Sequence, residues 1–282
     1  FTVELLPVGE QGNITPGQVR DAIRDDTCLV TVMYANNEVG SILPIGEIGA
    51  VCRERGILFH TDAVQAVGHL PISVAEQNID MLSLSAHKFH GPKGVGALYV
   101  KKGILLTNLI EGGAQERGRR AGTENVPAIV GMAAALKECS AHLEEISSRV
   151  QAMRDKLIAG LSQIPHSTLN GDSKHRLPGN VNFSFEGVDG ETLLVLLDSK
   201  GICASAGSAC TSGSLDPSHV LLALGRPREI ANSALRLTLS DYNTEEEVAS
   251  IIKEVTAAVE CLRDRSPSWK AKLRGTEKFI LP

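Results

Sequence analysis

Three short apolar, β-branched runs, Leu29 to Tyr34, Gly56 to His60 and Met81 to Ser85, are each followed at once by residues able to hold or move a proton. The first leads into Asn36-Asn37-Glu38, the second into Asp62 with Gln65 three positions on, and the third into Ser85-Ala86-His87-Lys88. Singly, each has an ordinary structural reading: Asn-Asn as turn residues, Asp62 as a helix cap, Lys88 as a solvated charge, His87 as a satisfied interior histidine. Open α/β sheets, however, bind ligands beyond the carboxyl ends of their strands. Three such ends bring amides, a carboxylate, an imidazole and an amine toward one crevice.

That combination describes a pocket for pyridoxal phosphate. A lysine, here Lys88, forms the internal aldimine with the aldehyde. A carboxylate, here Asp62, keeps the pyridine nitrogen protonated, so the ring can accept electrons from a carbanion at the substrate's Cα. Gln65 can donate to the ring hydroxyl, and Ser85 and His87, flanking Lys88, can reach phosphate oxygens.

Five motifs at these positions resemble the cysteine desulfurases of the NifS and IscS type, within the class V aminotransferase superfamily. They are Tyr-Ala-Asn-Asn-Glu-Val-Gly at 34 to 40, His-Thr-Asp-Ala-Val-Gln at 60 to 65, Ser-Ala-His-Lys-Phe-His-Gly-Pro-Lys-Gly at 85 to 94, Gly-Gly-Ala-Gln-Glu-Arg at 112 to 117, and Arg-Ala-Gly-Thr-Glu-Asn at 120 to 125. The likeness runs from residue 1 to about residue 269. It implies an aspartate aminotransferase-like α/β fold of PLP-dependent transferases, with a large domain incomplete at its N-terminus and a smaller C-terminal α+β domain. It further implies cofactor contacts from Asn37, Asp62, Gln65, Ser85, His87, Lys88 and, across a dimer interface, Thr123. Lys88, His87 and Cys210 are the expected catalytic residues, and Asn37 and Arg236 the expected contacts to the substrate carboxylate.

Cys210 lies in Ala-Ser-Ala-Gly-Ser-Ala-Cys-Thr-Ser-Gly-Ser at 204 to 214. By residue type alone a cysteine among small residues is as often a buried filler as a reactive thiol. The resemblance implies that Cys210 takes sulfur from L-cysteine as a persulfide, leaving alanine, and passes it to an iron-sulfur scaffold or another sulfur acceptor. Cys203 reads as a core thiol. Arg236 sits in a predicted strand, where a lone charge is by default a structural pair partner. The resemblance gives it the substrate carboxylate, which a planar guanidinium grips through two donors. Selenocysteine lyase, and a catalytically silent fragment serving as an interaction module, are the alternatives.

These residues need a parallel sheet to carry them. Ile45, Ile48 and Val51 or Cys52 recur at helical spacing between the first two runs, making a βαβ crossover, and Gly94 to Val100 adds a further strand. Gly112 to Gly122 reads as a loop, and Thr123-Glu-Asn125 caps one long helical region reaching Leu161. Beyond it, 180 to 185 and 235 to 239 read as strands, 190 to 197 and 244 to about 262 as helices, and the last dozen residues as a polar tail. Residues 1–140 are expected to be the remainder of the PLP-binding large domain and 141–282 the small domain carrying the Cys210 loop. Phe1 to Leu6 reads as a strand under way, and the family's phosphate-cradling segment is expected upstream of it.

Composition narrows the partners. The 282 residues are 43% hydrophobic and 22% charged, enough to bury a core. Thirty-three acidic against 28 basic side chains, a formal charge of −5, argue against nucleic-acid and anionic-membrane binding. No apolar run reaches the roughly 18 residues of a membrane span, and six scattered cysteines fit neither a disulfide framework nor a zinc site. A cytoplasmic homodimer with reduced thiols, acting on a small molecule and holding no metal, is the expectation.

Overall fold

The computed structural model describes residues 1–207 and 216–282. The chain forms two compact units. An α/β unit comprises Pro16–Tyr34 and Pro44–Leu143, and an α+β unit comprises Phe1–Thr15, Ala35–Leu43 and Glu144–Pro282. Residues 1–15 and 35–43 thus cluster with the C-terminal half, although they precede the expected boundary near residue 140.

In the α/β unit, α1 (Pro16–Ala22) and β1 (Leu29–Met33) precede α2 (Ile45–Arg55), β2 (Leu58–Asp62), β3 (Met81–Ser85) and β4 (Gly96–Val100). The sheet order is β1-β2-β3-β4; the first three strands run parallel and β4 runs antiparallel to β3. Ile45, Ile48, Val51 and Cys52 are the buried positions of α2, as the helical spacing requires. Gly56 stops α2 in the left-handed conformation at φ 69°, as a glycine after the last apolar turn predicts, and β2 begins at Leu58 rather than at Gly56 and extends to Asp62.

The three parallel strands are also less buried than their apolar runs promised. Phe59 and Thr61 on one face of β2 are fully covered, whereas Leu29 and Leu58, paired in register on the other face, are exposed. That more open face carries His60 and Asp62. A single turn, α3 (Gln115–Gly118), interrupts the glycine-rich stretch, with Glu116 and Arg117 at positive φ. Asn125 accepts a hydrogen bond from the Ala128 amide and starts α4 (Val126–Ala141). The expected single long helix is two: His142 departs from helical geometry, and α5 (Leu143–Leu161) starts beyond it.

The α+β unit holds α5, β5 (Ser167–Leu169), β6 (Asn180–Phe185), α6 (Gly190–Asp198), α7 (His219–Ala223), α8 (Arg228–Asn232), β7 (Ala234–Thr238), α9 (Glu245–Arg265) and α10 (Pro267–Leu273). Its strands form an antiparallel sheet in the order β5-β6-β7. Leu157 and Leu161 from α5, Phe183 and Phe185 from β6, Leu193 and Leu197 from α6, and Val255 and Val259 from α9 make one core. A Cβ at Gly160 would come to 2.5 Å from Ile252, so glycine lets α5 and α9 approach closely. Thr244 and Glu247 form a reciprocal capping box at the start of α9.

Both chain ends differ from expectation. Phe1 to Leu6 forms no strand, and Phe1, Val3 and Leu5 are exposed. The polar-looking tail is instead pinned. The fully buried Glu186 carboxylate accepts the Ile280 and Leu281 amides and the Lys272 ammonium, and His166 Nδ1 donates to the Leu281 carbonyl while its ring stacks on Phe279. Three apolar or aromatic residues, Trp269, Phe279 and Leu281, recruit the segment, and their irregular spacing concealed it. Cys203, expected in the core, is exposed. Among the described residues no helix is long and apolar enough to cross a membrane, and no cluster of His, Cys, Asp and Glu suits a metal ion.

Candidate active site

At the C-terminal end of β2, the exposed Asp62 accepts a hydrogen bond from the Val64 amide at 3.0 Å through one carboxylate oxygen. This side-chain turn directs the chain into the segment bearing Gln65. Asp62 pairs in register with Ser83 of the neighbouring strand, and β3 ends two residues later at Ser85. A 3₁₀ turn, Ala86–Phe89, follows directly and carries His87 and the half-buried Lys88. The Ser85 hydroxyl lies 2.8 Å from His87 Nδ1, and His69 Nε2 donates to the Lys88 carbonyl at 2.9 Å, fixing the turn. Adjacent strand ends therefore carry Asp62 and the Lys88 turn.

One row of side chains lies on the same face. His60 spans Thr31 Oγ1 at 2.7 Å and Ser83 Oγ at 2.9 Å, linking β1, β2 and β3. Burial lowers the His60 pKa, and the nearby Asp62 charge opposes that shift. His60 is absent from the sequence-derived set, although its position two residues before Asp62 on a strand puts both on one face.

A second group assembles in the α+β unit. Arg236 of β7 donates from Nη1 to the Asn37 carbonyl at 2.8 Å. The Asn36 side chain accepts from the Glu38 and Val39 amides, so the turn holding Asn37 is internally fixed. Asn37 and Arg236 are 199 positions apart in sequence and in contact in the fold. Thr123 belongs to the α/β unit and is exposed ahead of α4; among the described residues it shares no hydrogen bond with the strand-end groups. Cys210 lies outside the described residues.

The donor set of the α/β unit fits pyridoxal phosphate. Among the described residues no hydrogen bond or ion pair engages the Lys88 ammonium or the Gln65 amide, and Asp62 keeps a second carboxylate oxygen beyond the one turned to Val64. A primary amine, a carboxylate and an amide without protein partners match the aldehyde, ring nitrogen and ring oxygen that such a cofactor presents. Ser85 and His87 add a hydroxyl and an imidazole for an anionic group.

The aminotransferase class-V family model matches residues 1–251. Relatives include the cysteine desulfurase IscS of Methanosarcina thermophila, 54% identical over 95% of this chain and 66% of that protein, and the cysteine desulfurase NifS of Azotobacter vinelandii, 47% identical over 95% and 67%. The chain belongs to the cysteine desulfurases of the class-V aminotransferase family. A solved NifS-like protein superposes with a TM-score of 0.85 at 38% identity, over 92% of this chain and 68% of that one. The chain thus spans about two thirds of the length of these desulfurases.

Proposed function

We propose that this chain converts L-cysteine to L-alanine and carries the abstracted sulfur as a persulfide on Cys210, with pyridoxal phosphate as cofactor. The observation that carries the reading is the placing of Asp62 and the Lys88 turn at neighbouring ends of parallel strands, in a chain of this family. Bound pyridoxal phosphate would supply an electron sink for negative charge developing at the substrate's Cα. Lys88 would hold its aldehyde carbon, Asp62 would keep a proton on its ring nitrogen, and Gln65 would donate to its ring oxygen. Ser85, His87 and Thr123 would donate to its phosphate.

The remaining work falls to the chain's own groups. Arg236 and Asn37 hold the cysteine carboxylate, and Lys88 Nζ is the base for the Cα proton. The Cys210 thiolate attacks the substrate sulfur: an S–S bond forms, the C–S bond breaks, and protonation of the carbon fragment yields alanine. Cysteine and enzyme thiol thus become alanine and enzyme persulfide, with no outside oxidant. A homodimer, to which Thr123 contributes across subunits, and an iron-sulfur scaffold or other sulfur-acceptor protein complete the reading.

The test is to supply pyridoxal phosphate and L-cysteine and measure alanine together with thiol-released sulfide. Cys210→Ser should keep the cofactor's visible absorbance while losing sulfide release. Full sulfide output from that variant overturns the role of Cys210, and wild-type protein that forms no alanine overturns the enzymatic reading in favour of an interaction module.

A further inference from the structure

Glu38 is a buried carboxylate, 2% exposed, and among the described residues no cation pairs with it. Burying a carboxylate without a counter-charge costs stability, so a role other than stabilisation is indicated. Its backbone is fixed from several sides. The Glu38 amide donates to Asn36 Oδ1 at 2.8 Å, and the Glu38 carbonyl accepts from the Asn180 and Asn182 side chains at 3.2 and 3.1 Å. The carboxylate bonds one described end of the segment that contains Cys210 and lies beside the other.

On the far side of that segment, the Ser218 hydroxyl donates to Glu38 Oε2 at 2.5 Å while accepting the Val220 and Leu221 amides as the cap of α7. On the near side, a Cβ at Gly207 would lie 3.6 Å from Glu38 Oε2 and 3.7 Å from Ser218 Cβ. The near end is tied further: Ser205 Oγ donates to the Gly207 carbonyl at 3.1 Å, and Ser205 and Arg236 exchange backbone hydrogen bonds at 3.1 and 2.6 Å. The same Arg236 holds the carbonyl of Asn37, the residue next to Glu38.

We propose that Glu38 is a positioning residue, a staple that fixes Ser218 beside Gly207 so that the two described ends flanking Cys210 form one base keyed to Asn37 and Arg236. The inference rests on the desulfurase reading for its catalytic consequence, and on geometry alone for the staple. A misplaced nucleophile loses attack rate without losing substrate affinity.

Glu38→Ala is therefore expected to lower kcat for alanine formation by about tenfold to a hundredfold, with KM for cysteine within about twofold of wild type. The rate at which iodoacetamide alkylates Cys210 should change several-fold in parallel. Glu38→Gln, which retains an acceptor for Ser218, should recover most of the loss. Ser218→Ala should reproduce Glu38→Ala, and the double variant should be no worse than either single one. Unchanged kcat and alkylation in Glu38→Ala, additive losses in the double variant, or an equal loss in KM would overturn the staple. Wild-type protein that forms no alanine would refute the desulfurase reading instead, leaving the alkylation comparison to decide the staple.

Discussion

The two units of the chain treat their polar groups in opposite ways. Every residue of β6 in the α+β unit is buried, and its polar members are spoken for: Asn182 donates to the Glu38 carbonyl, and Asn170 donates to both Asn182 and Ser184. Glu186, just past the strand, is matched by Lys272 and two backbone amides. In the α/β unit no residue of β1 is buried and β4 is largely exposed, and the side chains of Gln65 and Lys88, just past the ends of β2 and β3, have no protein partner among the described residues. Buried polar groups with full partners confer rigidity and one defined packing. Polar groups left unpartnered at strand ends give up that stabilisation and keep their valences for a ligand. Substitutions in the two units should accordingly fail in different assays.

The largest effect is expected at Lys88. Lys88→Ala should lower alanine formation by about a thousandfold or more, as loss of a covalent catalytic group does, yet leave the urea midpoint within experimental scatter. A large drop in the midpoint would place Lys88 among the structural residues and break the contrast. Glu186→Ala should do the reverse. Removing one partner of a buried ion pair costs about 3 to 5 kcal/mol, read as a lowered urea midpoint, with residues 276–282 becoming protease-sensitive. A neutral outcome would mean the pinned C-terminus contributes nothing to the α+β unit.

The same carboxylate sets an acid limit. Burial alone would raise the Glu186 pKa, but the Lys272 ammonium and the Leu281 and Ile280 amides hold it below its usual 4.5. A depressed carboxyl contributes its full stability above the unfolded value and loses it as pH falls through the folded value. Stability should therefore decline below about pH 4.5 in wild type and much less steeply in Glu186→Gln, measured by urea unfolding across that range. At Arg236, replacement by lysine should raise KM for cysteine by about tenfold through loss of the planar two-donor grip, leaving the cofactor absorbance intact. Unchanged saturation would remove Arg236 from substrate binding. The smallest effect belongs to the α9 cap, where Thr244→Ala should cost about 1 kcal/mol and nothing in turnover.

Local signals carried much of this fold. Met81 to Ser85 and Asn180 to Phe185 are strands with the expected bounds because apolar or alternating β-formers are closed by turn chemistry at both ends. The helices over Ile45–Arg55 and Glu245–Arg265 show their spacing and stops in the chain itself. What escaped depends on partners far away in sequence. The pinned C-terminus needs Glu186 and His166; the exposure of Leu29 and Leu58 reflects what covers a sheet face, which apolar content does not encode. At the candidate site, Asp62, Ser85, His87 and Lys88 were legible as residues at strand ends. The contacts of His60 and Glu38 were not, since one acts between hydroxyls on two other strands and the other meets a serine 180 positions away.

The central claim is that the groups ending β2 and β3 converge on one cofactor. Pyridoxal phosphate added to the purified chain, followed by borohydride reduction and peptide mapping, tests it directly. The account predicts a visible absorbance that reduction abolishes, with the label on Lys88 in wild type and a weakened band in Asp62→Ala. Label spread over surface lysines, or a band indifferent to Asp62, would contradict it.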